Sequence, residues 1–177
     1  MYKKVLFISA SLRPSSNSEA LAREVEKGVI AGGHLTEFIT LKDLRVGYCR
    51  GCLSCQKTHE CVIDDDMRGI AEKIRDADTL VFATPLYFYG MSGQLKTLLD
   101  RTNPLYSSDY RFREVFLVVT SEDDAENCEK NVIEGIRGWT DCFPESRFAG
   151  AFSGRGIGTG ILGEDILNDA FLFGKEI

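Results

Sequence analysis

The chain has 177 residues, 44% hydrophobic and 27% charged, values that suit a soluble globular protein of one domain. A chain of this length buries about two thirds or more of its unfolded surface. Its net charge of -6, with lysines and arginines scattered, argues against a nucleic-acid partner or an anionic membrane surface. No apolar run reaches the length of a membrane span or of a signal-peptide core, so the expected compartment is the cytoplasm. There, dense cysteines point to metal or redox chemistry before disulfides.

Lys4–Ser9 is a short apolar run and predicts a buried strand that ends in small and polar residues. Asn17–Ala31 predicts a helix: Leu21, Val25 and Val29 recur at helical spacing, and Gly32-Gly33 closes it. A second strand is expected over His34–Thr40. Asp64-Asp65-Asp66 reads as an acidic start, suited to a helix dipole, for a helix running to about Asp76. Asp78–Thr84 is the third expected strand, stopped by Pro85, and Ser92–Arg101 the next helix. Glu114–Thr120 is the fourth strand, followed by a helical region from Glu122 to about Cys142 carrying Val132, Ile136 and Trp139. Arg147–Ser153 and Asp165–Gly174 complete the series as a fifth strand and a closing helix.

Continuous apolar strands alternating with helices indicate an α/β, doubly wound, five-stranded parallel sheet covered on both faces. Ligands of such folds bind at the carboxyl ends of the strands, where strand order reverses. The irregular segments 9–18, 42–63, 85–91, 103–113 and 154–163 mostly follow strands, so function is sought there.

Ser9-Ala-Ser11-Leu-Arg13-Pro-Ser15-Ser16-Asn17-Ser18 leads into the first helix. Hydroxyl and amide groups at that density before a helix N-terminus suit a phosphate dianion. With no Gly-Lys-Ser/Thr and no three-glycine fingerprint, a terminal monophosphate, as in a flavin mononucleotide, fits better than a nucleoside triphosphate or a pyrophosphate. A simple helix cap at Asn17 or Ser18 is the competing account. Past the third strand, Thr84-Pro-Leu-Tyr87-Phe88-Tyr89-Gly90 places three aromatics beside a glycine, a composition suited to a flat ligand.

With Gly90-Met-Ser-Gly93-Gln-Leu-Lys-Thr-Leu-Leu-Asp100-Arg101 added, the chain resembles the flavodoxin-like NAD(P)H-dependent FMN reductase family over essentially its full length. The resemblance implies an FMN phosphate on Ser11, Arg13, Ser16, Asn17 and Ser18, and an isoalloxazine against Pro85, Leu86, Tyr87, Phe88 and Gly90. Thr120, Ser121 and Glu122 are expected near the ring's edge. Ala10 departs from the glycine of many relatives without removing a donor.

Cys49, Cys52, Cys55 and Cys61 are spaced two, two and five residues apart. Four such thiolates can enclose a [4Fe–4S] cluster or a zinc ion, or remain free or paired thiols. The spacing is similar to that of the iron–sulfur flavoproteins within the family. His59 can replace one zinc ligand, but a histidine in a polar loop is ordinarily solvated. Cys128 and Cys142 are expected to be packing residues.

The expected function is an FMN-dependent oxidoreductase passing electrons from NAD(P)H to a quinone, free flavin or other small-molecule acceptor, with no catalytic acid or base required of the protein. In a second form a ferredoxin donates through a cluster on the cysteine loop. A non-catalytic flavodoxin-like carrier or metal-binding module is the alternative from a different class. Tyr87, Phe88, Tyr89, Tyr106 and Tyr110 are typical interface material, and the resemblance implies a homodimer or homotetramer.

Overall fold

The computed structural model describes residues 2–106, 108–160 and 162–177. Five parallel strands are ordered β2-β1-β3-β5-β6: β1 is Lys4–Ser9, β2 Leu35–Thr40, β3 Thr79–Tyr87, β5 Glu114–Thr120 and β6 Arg147–Gly154. The two-residue strand β4, Gly90–Met91, pairs antiparallel with the end of β3. The sheet therefore has six strands where five were expected, and the extra one is a hairpin return.

The helices are α1 (Asn17–Ala31), α2 (Cys55–Thr58), α3 (Met67–Asp76), α4 (Gly93–Asp100), α5 (Lys130–Thr140) and α6 (Glu164–Lys175). Successive strand residues point to opposite faces, and both faces are covered. Val5, Phe7, Val81 and Val118 pack with Leu21, Val25, Val29 and Ala170 of α1 and α6. Leu6, Ile8, Leu80, Phe82 and Leu117 pack with Ile70, Ile74, Leu95, Leu98, Val132 and Ile136 of α3, α4 and α5. This double burial explains why the strands read as unbroken apolar runs. β1 leaves for β2 on one side and the chain returns to β3 on the other, so the switch in strand order lies between β1 and β3.

Pro85 does not stop β3, which continues to Tyr87 and keeps Pro85 opposite Thr120 of β5. The Ala83 carbonyl accepts the last bond from the β1 side, from the Ala10 amide at 2.8 Å. The Pro85 nitrogen faces that same side two residues on, past the end of β1, so its missing N–H removes no ladder bond.

The helix expected from Glu122 begins only at Lys130. Asp123 Oδ1 accepts from the Ala125 amide at 2.8 Å, a local turn that competes with helix. Asn127 then takes φ +64°, which ends any helical run before α5. The acidic run opens α3 as expected, but through Asp65: Asp66 makes no side-chain cap, whereas Asp65 Oδ1 accepts from the Met67 amide at 3.2 Å and the same carboxylate binds Arg101.

Candidate functional site

The first loop enters α1 through Ser16. Its Oγ accepts from the Glu19 amide at 3.2 Å and lies 3.0 Å from Ser18 Oγ. The helix cap is therefore realised, at Ser16, inside the same run of hydroxyls that faces the sheet edge. The Asn17 amide nitrogen donates to the Gly158 carbonyl at 2.7 Å, tying the start of α1 to the loop after β6. Arg13 is exposed and has no carboxylate partner among the described residues.

A cavity of about 300 Å³ opens over the carboxyl ends of the strands. Ser11, Arg13, Ser16, Asn17 and Ser18 line it from the first loop, Pro85, Leu86 and Tyr87 from β3, and Thr120 and Glu122 from the end of β5. Those ten expected residues meet in one place. Three others do not line it. Phe88 stands wholly in solvent at the hairpin tip. Gly90 lies in the return strand. Ser121 is buried and turned inward, donating to the Asp123 carbonyl at 2.7 Å and lying 3.3 Å from Cys128 Sγ. Ser15, Ile157, Gly158 and Thr159 complete the lining and were not expected. The only sequence signal for the last three was their position in the irregular segment after a strand.

The hairpin tip is strained. Phe88 and Tyr89 both have positive φ, +49° and +59°, a conformation that favours glycine or asparagine. Tyr89 offsets part of this by donating its hydroxyl to Asp123 Oδ2 at 2.8 Å, so the β3–β4 hairpin is tethered to the loop after β5. That hydrogen bond raises the Tyr89 pKa above its ordinary value.

Behind the same wall lies Glu129, buried although charged. Its carboxylate accepts from Arg155, from Ser153 Oγ at 3.0 Å and from Cys128 Sγ at 3.4 Å. The Arg155 hydrogen bonds foremost hold its pKa at about 2. Cys128 is thus a buried thiol inside a polar network. Cys142, expected in packing, is exposed at the end of α5.

The cavity has a polar end, with hydroxyls, an exposed guanidinium and the N-terminus of α1, and a flat apolar end at Pro85, Leu86, Tyr87 and Ile157. Those two ends fit a phosphate and a planar ring on one molecule, so the residues present fit FMN.

The cysteine loop is different. Cys49 and Cys52 are exposed, Cys55 is buried and Cys61 half-buried, all as free thiols. Among the described residues no three His, Cys, Asp or Glu side chains converge as a metal site. As arranged, the four sulfurs do not form a cage for a cluster or a zinc ion. His59 is exposed, at φ +57° after α2.

Fold and cavity together define a flavodoxin-like α/β protein with a cavity at the β1/β3 switch, lined by the hydroxyl-rich entry to α1 and by the end of β3. A family model described as NADPH-dependent FMN reductase matches residues 3–131. The chain belongs to that family, in its iron–sulfur flavoprotein branch. It is 42% identical over 102 residues to an iron–sulfur flavoprotein of Methanocaldococcus jannaschii, a match covering 58% of this chain and 53% of that relative. The chain thus spans about half the length of that relative. To an iron–sulfur flavoprotein of Methanosarcina thermophila it is 30% identical over 137 residues, covering 77% and 72%. A solved NAD(P)H:quinone oxidoreductase from Methanothermobacter marburgensis superposes with TM-score 0.73 at 16% identity, over 99% of this chain and 97% of that one, a likeness of fold.

Proposed function

We propose that this chain is an FMN-dependent oxidoreductase that takes electrons from NAD(P)H and passes them to a quinone, free flavin or other small acceptor. The observation that carries this reading is the single cavity in which the hydroxyl-rich entry to α1 faces Pro85, Leu86 and Tyr87. Bound there, FMN supplies the electron-transfer chemistry. Ser11, Ser16, Ser18 and Asn17 orient the phosphate with the α1 dipole, and Arg13 adds the compensating charge. Pro85, Leu86 and Tyr87 keep water from one side of the ring, and Thr120 and Glu122 bound its edge. No residue is assigned a proton.

The domain is proposed to extend over residues 1–177 and to work in the cytoplasm. Among the described residues no helix is long and apolar enough to cross a membrane. Exposed Tyr87, Phe88, Tyr89 and Tyr106 support a homodimer or homotetramer. Tyr110 is withdrawn from that surface, because its ring packs on Phe112 and Phe143.

The test is direct. Purified protein should retain a yellow chromophore that denaturation releases as FMN, and should oxidise NADPH or NADH with menadione as acceptor. Flavin-free protein that cannot be loaded with FMN overturns the assignment.

A second reading, with a [4Fe–4S] cluster on Cys49, Cys52, Cys55 and Cys61, is favoured by the names of the relatives and by the spacing. It requires the exposed Cys49 and Cys52 to fold inward. Anaerobically purified protein should then hold about four irons per chain, and Cys52→Ala should lose them. Iron-free protein with four titratable loop thiols rejects it.

A further inference from the structure

Arg101 follows α4 and is the largest fully buried side chain, 1% exposed. Its Nη1 donates to Asp65 Oδ2 and to the Gly47 carbonyl, both at 2.7 Å, and Nη2 donates to Asp65 Oδ1 at 2.8 Å. A guanidinium carries five N–H donors in one plane. The two left over, on Nε and Nη2, lie along one edge of the fork. Nε is buried and has no partner within hydrogen-bond distance, an arrangement that is costly unless an acceptor is at hand.

A cavity of about 220 Å³ adjoins Arg101, and Cys61 lines it with Met67, Pro104 and Leu105. The Asp65 hydrogen bonds foremost favour the charged guanidinium against the cost of burial. The other inward sulfur, Cys55, accepts from the Asn103 amide nitrogen at 3.2 Å. Cys55 is thus anchored to the segment after α4 and Cys61, half-buried, shares its cavity with Arg101, while Cys49 and Cys52 are exposed.

We propose that the free Nε–Nη2 edge of Arg101 is the seat of the Cys61 sulfur, and that Arg101 is the positioning residue of the cysteine loop. Its other edge already fixes the loop's base: Asp65 Oδ2 accepts from the Gly47 amide at 2.8 Å as well as from Arg101. The helix that Arg101 closes, α4, is capped at its start by Ser92, whose amide donates to Thr84 Oγ1 of β3 at 3.0 Å. The loop is thereby held to the element that carries Pro85, Leu86 and Tyr87. This assignment depends neither on bound flavin nor on what the thiols carry.

The test compares thermal melting of Cys61→Ala and Cys52→Ala, which lose the same number of loop thiols, in sodium formate and in sodium chloride at equal ionic strength. In chloride, Cys61→Ala should melt about 3–8 °C below Cys52→Ala, because under this assignment the Cys61 sulfur is the acceptor that the buried Nε–Nη2 edge uses. Formate can enter the vacated space and accept from the free edge, so it should restore at least half of that loss in Cys61→Ala and nothing in Cys52→Ala. Adding Arg101→Lys to Cys61→Ala should abolish the formate response, since an ammonium has no fork. A formate response equal in the two cysteine variants, absent from both, or surviving Arg101→Lys overturns the proposal. If the double variant does not fold, the two single variants decide.

Discussion

Arg155 grips Glu129 at two points, Nη2 to Oε1 at 2.6 Å and Nε to Oε2 at 3.1 Å. The pair joins the segment before α5 to the loop after β6, two stretches that also meet through the Ile157 amide, which donates to the Ser121 carbonyl at 2.8 Å. Glu122 and Thr159, both of which line the cavity, sit on the segments so joined.

The first prediction concerns acid. The Glu129 pKa falls from an ordinary 4.5 to about 2 on folding, so its contribution to stability is complete above 4.5 and is lost as pH falls toward about 2. Glu129→Gln should melt lower than the parent at pH 7, and the gap should narrow as pH falls through that window. The variant should also bind FMN several-fold more weakly. A gap that stays constant from pH 7 to pH 2.5 would show that the carboxylate's charge is not what holds the wall.

Ser16 separates the cap from the cofactor. Ser16→Ala removes the acceptor of the Glu19 amide and should cost about 1 kcal/mol of stability together with part of the FMN affinity. Ser16→Asp keeps a capping oxygen but sets a negative charge where the phosphate is proposed to sit. It should melt within about 2 °C of the parent and bind FMN at least about 100-fold more weakly. Full affinity in Ser16→Asp, measured by fluorescence titration, would move the phosphate elsewhere.

Much of this architecture is legible in the residues, for physical reasons that also mark where reading stops. β1, α1 and β5 lie where expected, because each is an apolar run between polar or glycine boundaries and is buried as a unit. Pro85 misleads because its cost depends on whether a neighbouring strand needs its N–H, and that is decided by β1, seventy-odd residues earlier. The late start of α5 depends on one left-handed residue, Asn127, in a stretch of good helix formers. Ile157, Gly158 and Thr159 carry no charge and no pattern, and only the topology brings them over Asn17. The pairing of Arg101 with Asp65 has no local trace either, since thirty-five residues separate the two.

The crossing of α1 and α6 is set by two glycines. A Cβ on Gly174 would lie 2.0 Å from the Val25 carbonyl oxygen, and one on Gly28 2.1 Å from that of Phe171. Backbone cannot yield as a side-chain tip can, so Gly174→Ala should cost about 3 kcal/mol or fail to fold. Gly138, exposed in α5 with nothing within 4 Å of its missing Cβ, is the control: Gly138→Ala should gain about 0.5–1 kcal/mol. Equal effects of the two substitutions in chemical denaturation would reject the close approach.

The hairpin tip tests which aromatic meets the cofactor. Tyr87 lines the cavity, whereas Phe88, next in sequence, points wholly into solvent from a left-handed backbone. Phe88→Asn should raise stability by about 0.5–1 kcal/mol, since asparagine tolerates that conformation and phenylalanine does not. Tyr89→Phe loses the hydroxyl that binds Asp123, and with it the tether that holds the tip, so it should melt lower than the parent. On cofactor binding the order should reverse the prominence of the rings. Tyr87→Ala should weaken FMN at least fivefold more than Phe88→Ala does, because only the former uncovers cavity wall. If Phe88→Ala proves the more damaging in fluorescence titration, the tip folds over the bound ring and the sequence-based placement of Phe88 is restored.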